Sequence, residues 1–108
     1  MAVPDYQSLM LPLLKFASAK DDETSTGEAV EALAKELALS EDDLKEMLPS
    51  GIQSTFVNRV GWASTYMKKA GLLEATRRGY YRITERGQEL LQKQPKTINV
   101  KLLKRTFS

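Results

Sequence analysis

The stretch AGLLEATRRGYYRITERG, residues 70–87, constrains the fold more than any other part of the chain. Residues 72–76 and 80–84 read as short strands, the second rich in aromatic and β-branched side chains. Arg77-Arg78-Gly79 lie between them, and Gly79 can take a positive φ at low cost. The pair is therefore a β-hairpin with a basic tip. Gly71 just ahead of it is a natural helix stop. Thr84-Glu85 just behind it is an N-cap followed by a first-turn acid, which opens a last helix over residues 84–93. The chain must thus place a helix end, a hairpin and a helix start in immediate succession.

The segments before the hairpin are helical. In PDYQSLMLPLLKFASA, the residues Tyr6, Leu9, Met10, Leu13, Leu14 and Ala17 fall at helical spacing, with Pro4 and Asp5 suited to the first turn. Pro12 predicts a kink or two short helices in series, because an internal proline can cost ~3 kcal/mol. KDDETST reads as a loop. A second helix starts at Ser25, where Ser25 and Glu28 have capping-box spacing, and buries Val30, Leu33, Ala34 and Leu37. Ser40 and Asp43 repeat the box ahead of Leu44, Met47 and Leu48, so SEDDLKEML predicts a further short helix ended by Pro49-Ser50-Gly51. The third major helix spans residues 53–70. Phe56, Val60, Ala63, Met67 and Ala70 form its core face, and Ser54, Asn58, Thr65, Lys68 and Lys69 form the opposite face with Gly61 among them. In the last helix Leu90 packs inward, and Pro95 ends it. The result is one domain over residues 1–95 and a basic tail or truncated linker over 96–108.

Charge is distributed unevenly among the 108 residues, although the net value is only +2. Residues 20–48 carry ten acids against three bases, whereas residues 59–93 carry eight bases against three acids, and 96–108 add four bases and no acid. Such asymmetry predicts a polyanion partner for the second half. The absence of cysteine and histidine excludes disulfides, thiolate or imidazole metal sites and His-dependent triads, and no cofactor is implied. No apolar run is long enough for a transmembrane helix, and MAVPDYQ lacks signal-peptide features, so a cytoplasmic location is expected.

Three helices, a hairpin and a further helix give a mainly α fold with a small β-hairpin, the order of a winged helix-turn-helix. Such a fold can set one helix in the major groove of double-stranded DNA and lay the hairpin tip on the phosphate backbone. The expected contacts are Ser54, Asn58, Arg59, Thr65, Lys68, Lys69, Arg77, Arg78 and Arg82. Asn58 has the amide for bidentate pairing with adenine. The two tip arginines offer planar forks to phosphate, so their joint removal is expected to change the log–log salt slope by ~2. Arg59 lies nearer the apolar boundary, and its stem can cover the core while its head seeks a phosphate or an acid. Trp62 lies between the two faces. Burial against the second helix or SEDDLKEML is expected of it, with an exposed platform for sugar or base as the alternative. Tyr80 and Tyr81 must point to opposite hairpin faces, one to the core and one outward. The acids Glu41, Asp42, Asp43 and Glu46 would repel DNA, so their segment is expected on the far side or at a protein contact. Dimerisation through the same surfaces, and a stand-alone transcription regulator, are the alternative uses of such a fold.

NRVGWASTYMKKAGLLEATRRGYYRITERG, together with LPSG at 48–51 and VPDYQSLMLPLL at 3–14, resembles the N-terminal domain of Mrr-type restriction endonucleases. The resemblance covers residues 3–100. It implies a winged helix that brings a C-terminal PD-(D/E)xK nuclease domain to DNA, often modified DNA, with methylated duplex as one candidate. Pro4-Asp5 and Asp43-Leu44-Lys45 mimic such a motif nominally. Both fragments lie at expected helix starts rather than on adjoining strands around a metal, so this chain is expected to be non-catalytic.

Overall fold

The computed structural model describes residues 4–20, 22–49, 51, 53–98 and 101. Among these residues the named elements follow one another as α1 (Tyr6–Ser18), β1 (Thr24–Ser25), α2 (Thr26–Glu36), α3 (Glu41–Lys45), α4 (Thr55–Lys69), β2 (Leu73–Arg77), β3 (Tyr80–Ile83) and α5 (Glu85–Gln92). Helix α1 lies along α4, with α2 packed against both.

Asp5 caps α1 by accepting from the Ser8 N–H at 2.8 Å. The helix then runs unbroken through Pro12, so the two-helix alternative does not occur. Leu9, Met10, Leu13 and Leu14 flank that proline and are fully buried. At about 1.5–3 kcal/mol each, their burial outweighs the ~3 kcal/mol that an internal proline costs. The remaining helices start at the expected hydroxyls. Ser25 caps α2, while the Glu28 carboxylate takes a bond from the Thr24 hydroxyl at 2.9 Å. The reciprocal box forms at α3, where Ser40 and Asp43 bond each other's backbone N–H at 3.1 and 3.2 Å. Helix α4 ends in a Schellman motif. Gly71, at φ 80°, lets the Leu72 N–H reach the Met67 carbonyl and its own N–H reach that of Lys68.

The segment expected as a loop, KDDETST, contributes a strand. Thr24 and Ser25 pair antiparallel with Tyr81 and Tyr80, so the hairpin becomes a three-stranded sheet of order β1-β3-β2. Sequence periodicity could not reveal a two-residue strand, because its partner lies more than fifty residues away. Only Arg78 and Gly79 separate β2 from β3, with Gly79 at φ 81° and its carbonyl bonded to the Thr26 N–H at 3.2 Å. The helix and strand order is that of a winged helix, with α3 as an insertion ahead of α4.

The core joins both halves of the chain. Leu9, Leu13, Leu33, Phe56, Val60, Met67, Leu72 and Tyr81 are all buried in one cluster. Tyr81 is thus the inward tyrosine of the hairpin pair. Ile98 also belongs to this cluster, so the packing continues past the domain boundary placed at residue 95.

Candidate nucleic-acid interface

Helix α4, TFVNRVGWASTYMKK, contains no acid and three bases. Its core side holds Phe56, Val60, Ala63 and Met67, leaving the opposite side to solvent. There Gln53, Asn58, Gly61, Trp62 and Thr65 line a shallow depression of about 360 Å³. Trp62 is 50% exposed, contrary to its expected burial. Helix α3 does not reach it, because that insertion packs on the first turn of α4, where Leu44 shares a groove with Ser54, Phe56 and Val57. Trp62 instead tilts against Tyr66 at 6.1 Å between ring centroids, and Tyr66 stacks on Tyr6 of α1 at 5.2 Å.

The other expected contacts on this helix divide into committed and available groups. The Ser54 hydroxyl is the N-cap, accepting from the Val57 N–H at 3.1 Å. Asn58 donates to the Gln53 side chain at 3.2 Å, so two amides border one end of the depression. Arg59 is half-buried and donates to the Pro4 carbonyl at 3.2 Å, which ties α4 to the start of α1. Thr65 bonds the Gly61 carbonyl at 3.0 Å but keeps its acceptor capacity. Lys68 and Lys69 are exposed in the last turn, where cations also favour the helix dipole. The Lys68 ammonium lies 5.1 Å from the centroid of the Tyr81 ring. Arg86 of α5 reaches the same helix end, donating to the Ala70 carbonyl at 3.4 Å. Its place in ITERG gave no hint of that, since the approach depends on how α5 folds back.

The hairpin is less basic in space than in sequence. Arg77 Nε donates to the Glu23 carboxylate at 2.8 Å, and its guanidinium lies 3.8 Å from the centroid of the Tyr80 ring. Arg82 pairs with Glu74 across the β2–β3 ladder at 2.5 Å. That hydrogen bond, with Asp22 and Glu23 nearby, raises the Arg82 pKa above its ordinary value. Arg78 stands exposed at the turn. The expected contacts Arg77 and Arg82 are therefore already engaged with carboxylates, one of which comes from the segment ahead of β1.

The two fragments of the nominal nuclease motif are helix caps. Asp5 caps α1, and Asp43 is buried in the α3 box, where the Ser40 N–H holds its carboxyl below the usual range. Among the described residues no three acidic, histidine or cysteine side chains gather as a metal site, and no helix is long and apolar enough to cross a membrane.

Residues 6–93 match the family described as the Mrr N-terminal domain. The chain is 30% identical over 95 residues to a type IV methyl-directed restriction enzyme, EcoKMrr, of Escherichia coli (strain K12). That match takes in 88% of this chain and 31% of the relative's length. No solved structure matches the chain. With the family match extending from α1 to the end of α5, the chain belongs to the Mrr N-terminal domain family.

Proposed function

We propose that this domain is a non-catalytic module that docks on double-stranded DNA, with α4 in the major groove and the β2–β3 turn on the phosphate backbone. The observation that carries the reading is the exposed side of α4: amides, a hydroxyl and an indole around an open depression, running into Lys68-Lys69 with no acid on the helix. A helix fits the major groove, where Asn58 and Thr65 have the groups for base edges and Trp62 the surface for methyl groups or sugars. Lys68, Lys69 and Arg78 are the phosphate ligands. Glu41, Asp42 and Glu46 sit with α3 at the opposite end of α4, about 20 Å from the lysines at 1.5 Å rise per residue. Docking is therefore centred on the C-terminal two-thirds of the helix. The similar E. coli protein is described as methyl-directed, which supports a targeting role for a restriction nuclease domain and makes methylated duplex the probe to compare.

The test is a fluorescence-anisotropy titration of methylated and unmethylated duplexes of one sequence at several salt concentrations. Replacing Lys68 and Lys69 by alanine should flatten the log–log slope by roughly 1.8, and Arg78→Ala by roughly 0.9. Arg77→Ala should change it less than Arg78→Ala, because Arg77 already has an anion. Wild-type affinity that does not respond to salt, or slopes unmoved by both replacements, would refute the interface. The exposed Trp62 indole, at the end of a Tyr6–Tyr66 stack that is itself partly buried against the core, favours a second reading, a homodimer contact. Light scattering with and without salt separates the two.

A further inference from the structure

Glu23 occupies a pocket of donors that it did not build. One of its carboxylate oxygens accepts from Arg77 Nε at 2.8 Å, and the other accepts from the Thr76 hydroxyl. Both donors are consecutive residues of β2, while Glu23 precedes β1 on the far side of β3. Tyr80 lies under the guanidinium of Arg77 at 3.8 Å and fixes its plane. The register shift between Ala75 and Arg77 makes room for Thr76 and turns the two donors toward one point. A hydroxyl and a guanidinium edge that converge on two oxygens form a cradle for any anion with paired oxygens, a phosphodiester included. The carboxylate is also readily exchanged. The Glu23 side chain is 24% exposed and that of Arg77 61% exposed, and ion pairs in such positions hold weakly in water.

We propose that Thr76, Arg77 and Tyr80 form an anion site for a DNA backbone phosphate, and that Glu23 is its built-in competitor in the free protein. This deepens the DNA reading above and rests on it for the identity of the ligand. The wing then docks by anion exchange: Glu23 swings to solvent as the phosphate arrives. Because one negative charge replaces another on Arg77, the wild-type wing gains little electrostatic affinity at this point. Off-target duplex is held weakly, and docking depends on the fit of α4.

The experiment has two arms on the intact chain. In the first, inorganic phosphate is titrated into ¹⁵N-labelled protein while the Arg77 Nε–Hε and Thr76 resonances are followed. Glu23→Ala should give saturable shifts at these two residues, and wild type should need several-fold more phosphate. Glu23→Gln, which keeps the side chain's shape, serves if the alanine variant alters the sheet. Absence of a response in both variants overturns the cradle. In the second arm, duplex is titrated at salt from ~50 to ~200 mM. Glu23→Ala should steepen the log–log slope by ~0.9, so that its advantage over wild type shrinks about 3.5-fold across that range. In an Arg77→Ala background the same replacement should have little effect. A Glu23→Ala gain of equal size without Arg77 assigns the effect to general repulsion and overturns the competitor. Phosphate binding in the first arm without duplex binding by any variant would leave the anion site standing and remove DNA as its ligand.

Discussion

Gly87 is where the wing is fixed to the rest of the fold, and a single methyl group tests that arrangement. The residue is buried in the first turns of α5. A Cβ added there would lie 2.5 Å from the Leu72 carbonyl oxygen and 2.7 Å from Ile83 Cγ1. The carbonyl cannot yield cheaply, because it accepts the Thr84 N–H at 3.0 Å and Leu72 is fully buried. Thr84 is itself held on both sides, donating to the Gly71 carbonyl at 2.5 Å and accepting from the Gly87 N–H at 3.1 Å. Gly87→Ala would gain ~1 kcal/mol of helix propensity. Against this stands an overlap of the kind that costs about 1–3 kcal/mol, here at its upper end because the obstacle is backbone. The net loss should be roughly 1–2 kcal/mol, a fall in Tm of about 5–15 °C for a domain of this size. Gly61→Ala is the internal control. It also lies inside a helix, but a Cβ there meets nothing within 4 Å, so propensity alone should raise stability by up to ~1 kcal/mol. Urea and thermal unfolding of the two variants must therefore diverge in sign. A Gly87→Ala protein as stable as wild type would refute the close approach of α5 to the hairpin base.

Three further perturbations address other parts of the molecule. The Tyr81 hydroxyl is buried with no hydrogen bond of good geometry among the described residues, and burial, only partly offset by the neighbouring Thr26 hydroxyl, pushes its pKa up to about 12. Tyr81→Phe should therefore stabilise the fold by about 1 kcal/mol at neutral pH in urea unfolding, and a loss would show that the hydroxyl is satisfied. Since the unfolded tyrosine ionises near 10, the wild type keeps its full stability below pH 10 and should lose roughly 2–3 kcal/mol relative to the phenylalanine variant by pH 12. Ser40→Ala removes the cap of α3 and should cost ~1 kcal/mol. Asp43, whose carboxyl is held below its usual range by the Ser40 N–H, contributes stability above its unfolded pKa and loses it as pH falls through its folded value. Acid unfolding midpoints that coincide for wild type and Asp43→Asn would refute that contribution. Trp62→Ala should leave Tm within about 1–2 °C, because the indole is half-exposed, yet weaken duplex binding several-fold. Unchanged binding would remove Trp62 from the interface.

The helices were legible because their signals are local. Ser25, Ser40 and Thr84 cap where hydroxyls precede apolar spacing, and Gly71 and Gly79 take the positive φ that their positions require. What escaped the sequence depends on partners distant along the chain. Thr24-Ser25 becomes a strand only because Tyr80-Tyr81 offers an edge, and the same pairing brings Glu23 to Arg77. Trp62 looked like a boundary residue fit for burial, since helical periodicity cannot say how far a neighbouring insertion reaches. Ile98 lacked any periodic context, and its burial follows from where the chain passes after α5.

Charge counted along the chain and charge arranged in space lead to different interfaces. By sequence, residues 59–93 form a basic block and the hairpin tip is its strongest point. In the folded domain, acids from outside that block, Glu23 above all, and Glu74 within it draw on two of the three hairpin arginines. The cations of α4 meet no such competition from their own helix, which has no acid to offer. If phosphate affinity follows accessible rather than nominal charge, the ranking of contributions reverses: Lys68 and Lys69 come first, Arg78 next, and Arg77 only after Glu23 has been displaced. On the proposed docking, a wing balanced in this way would confer little affinity for arbitrary duplex, and discrimination would fall to Asn58, Trp62 and Thr65 around the α4 depression.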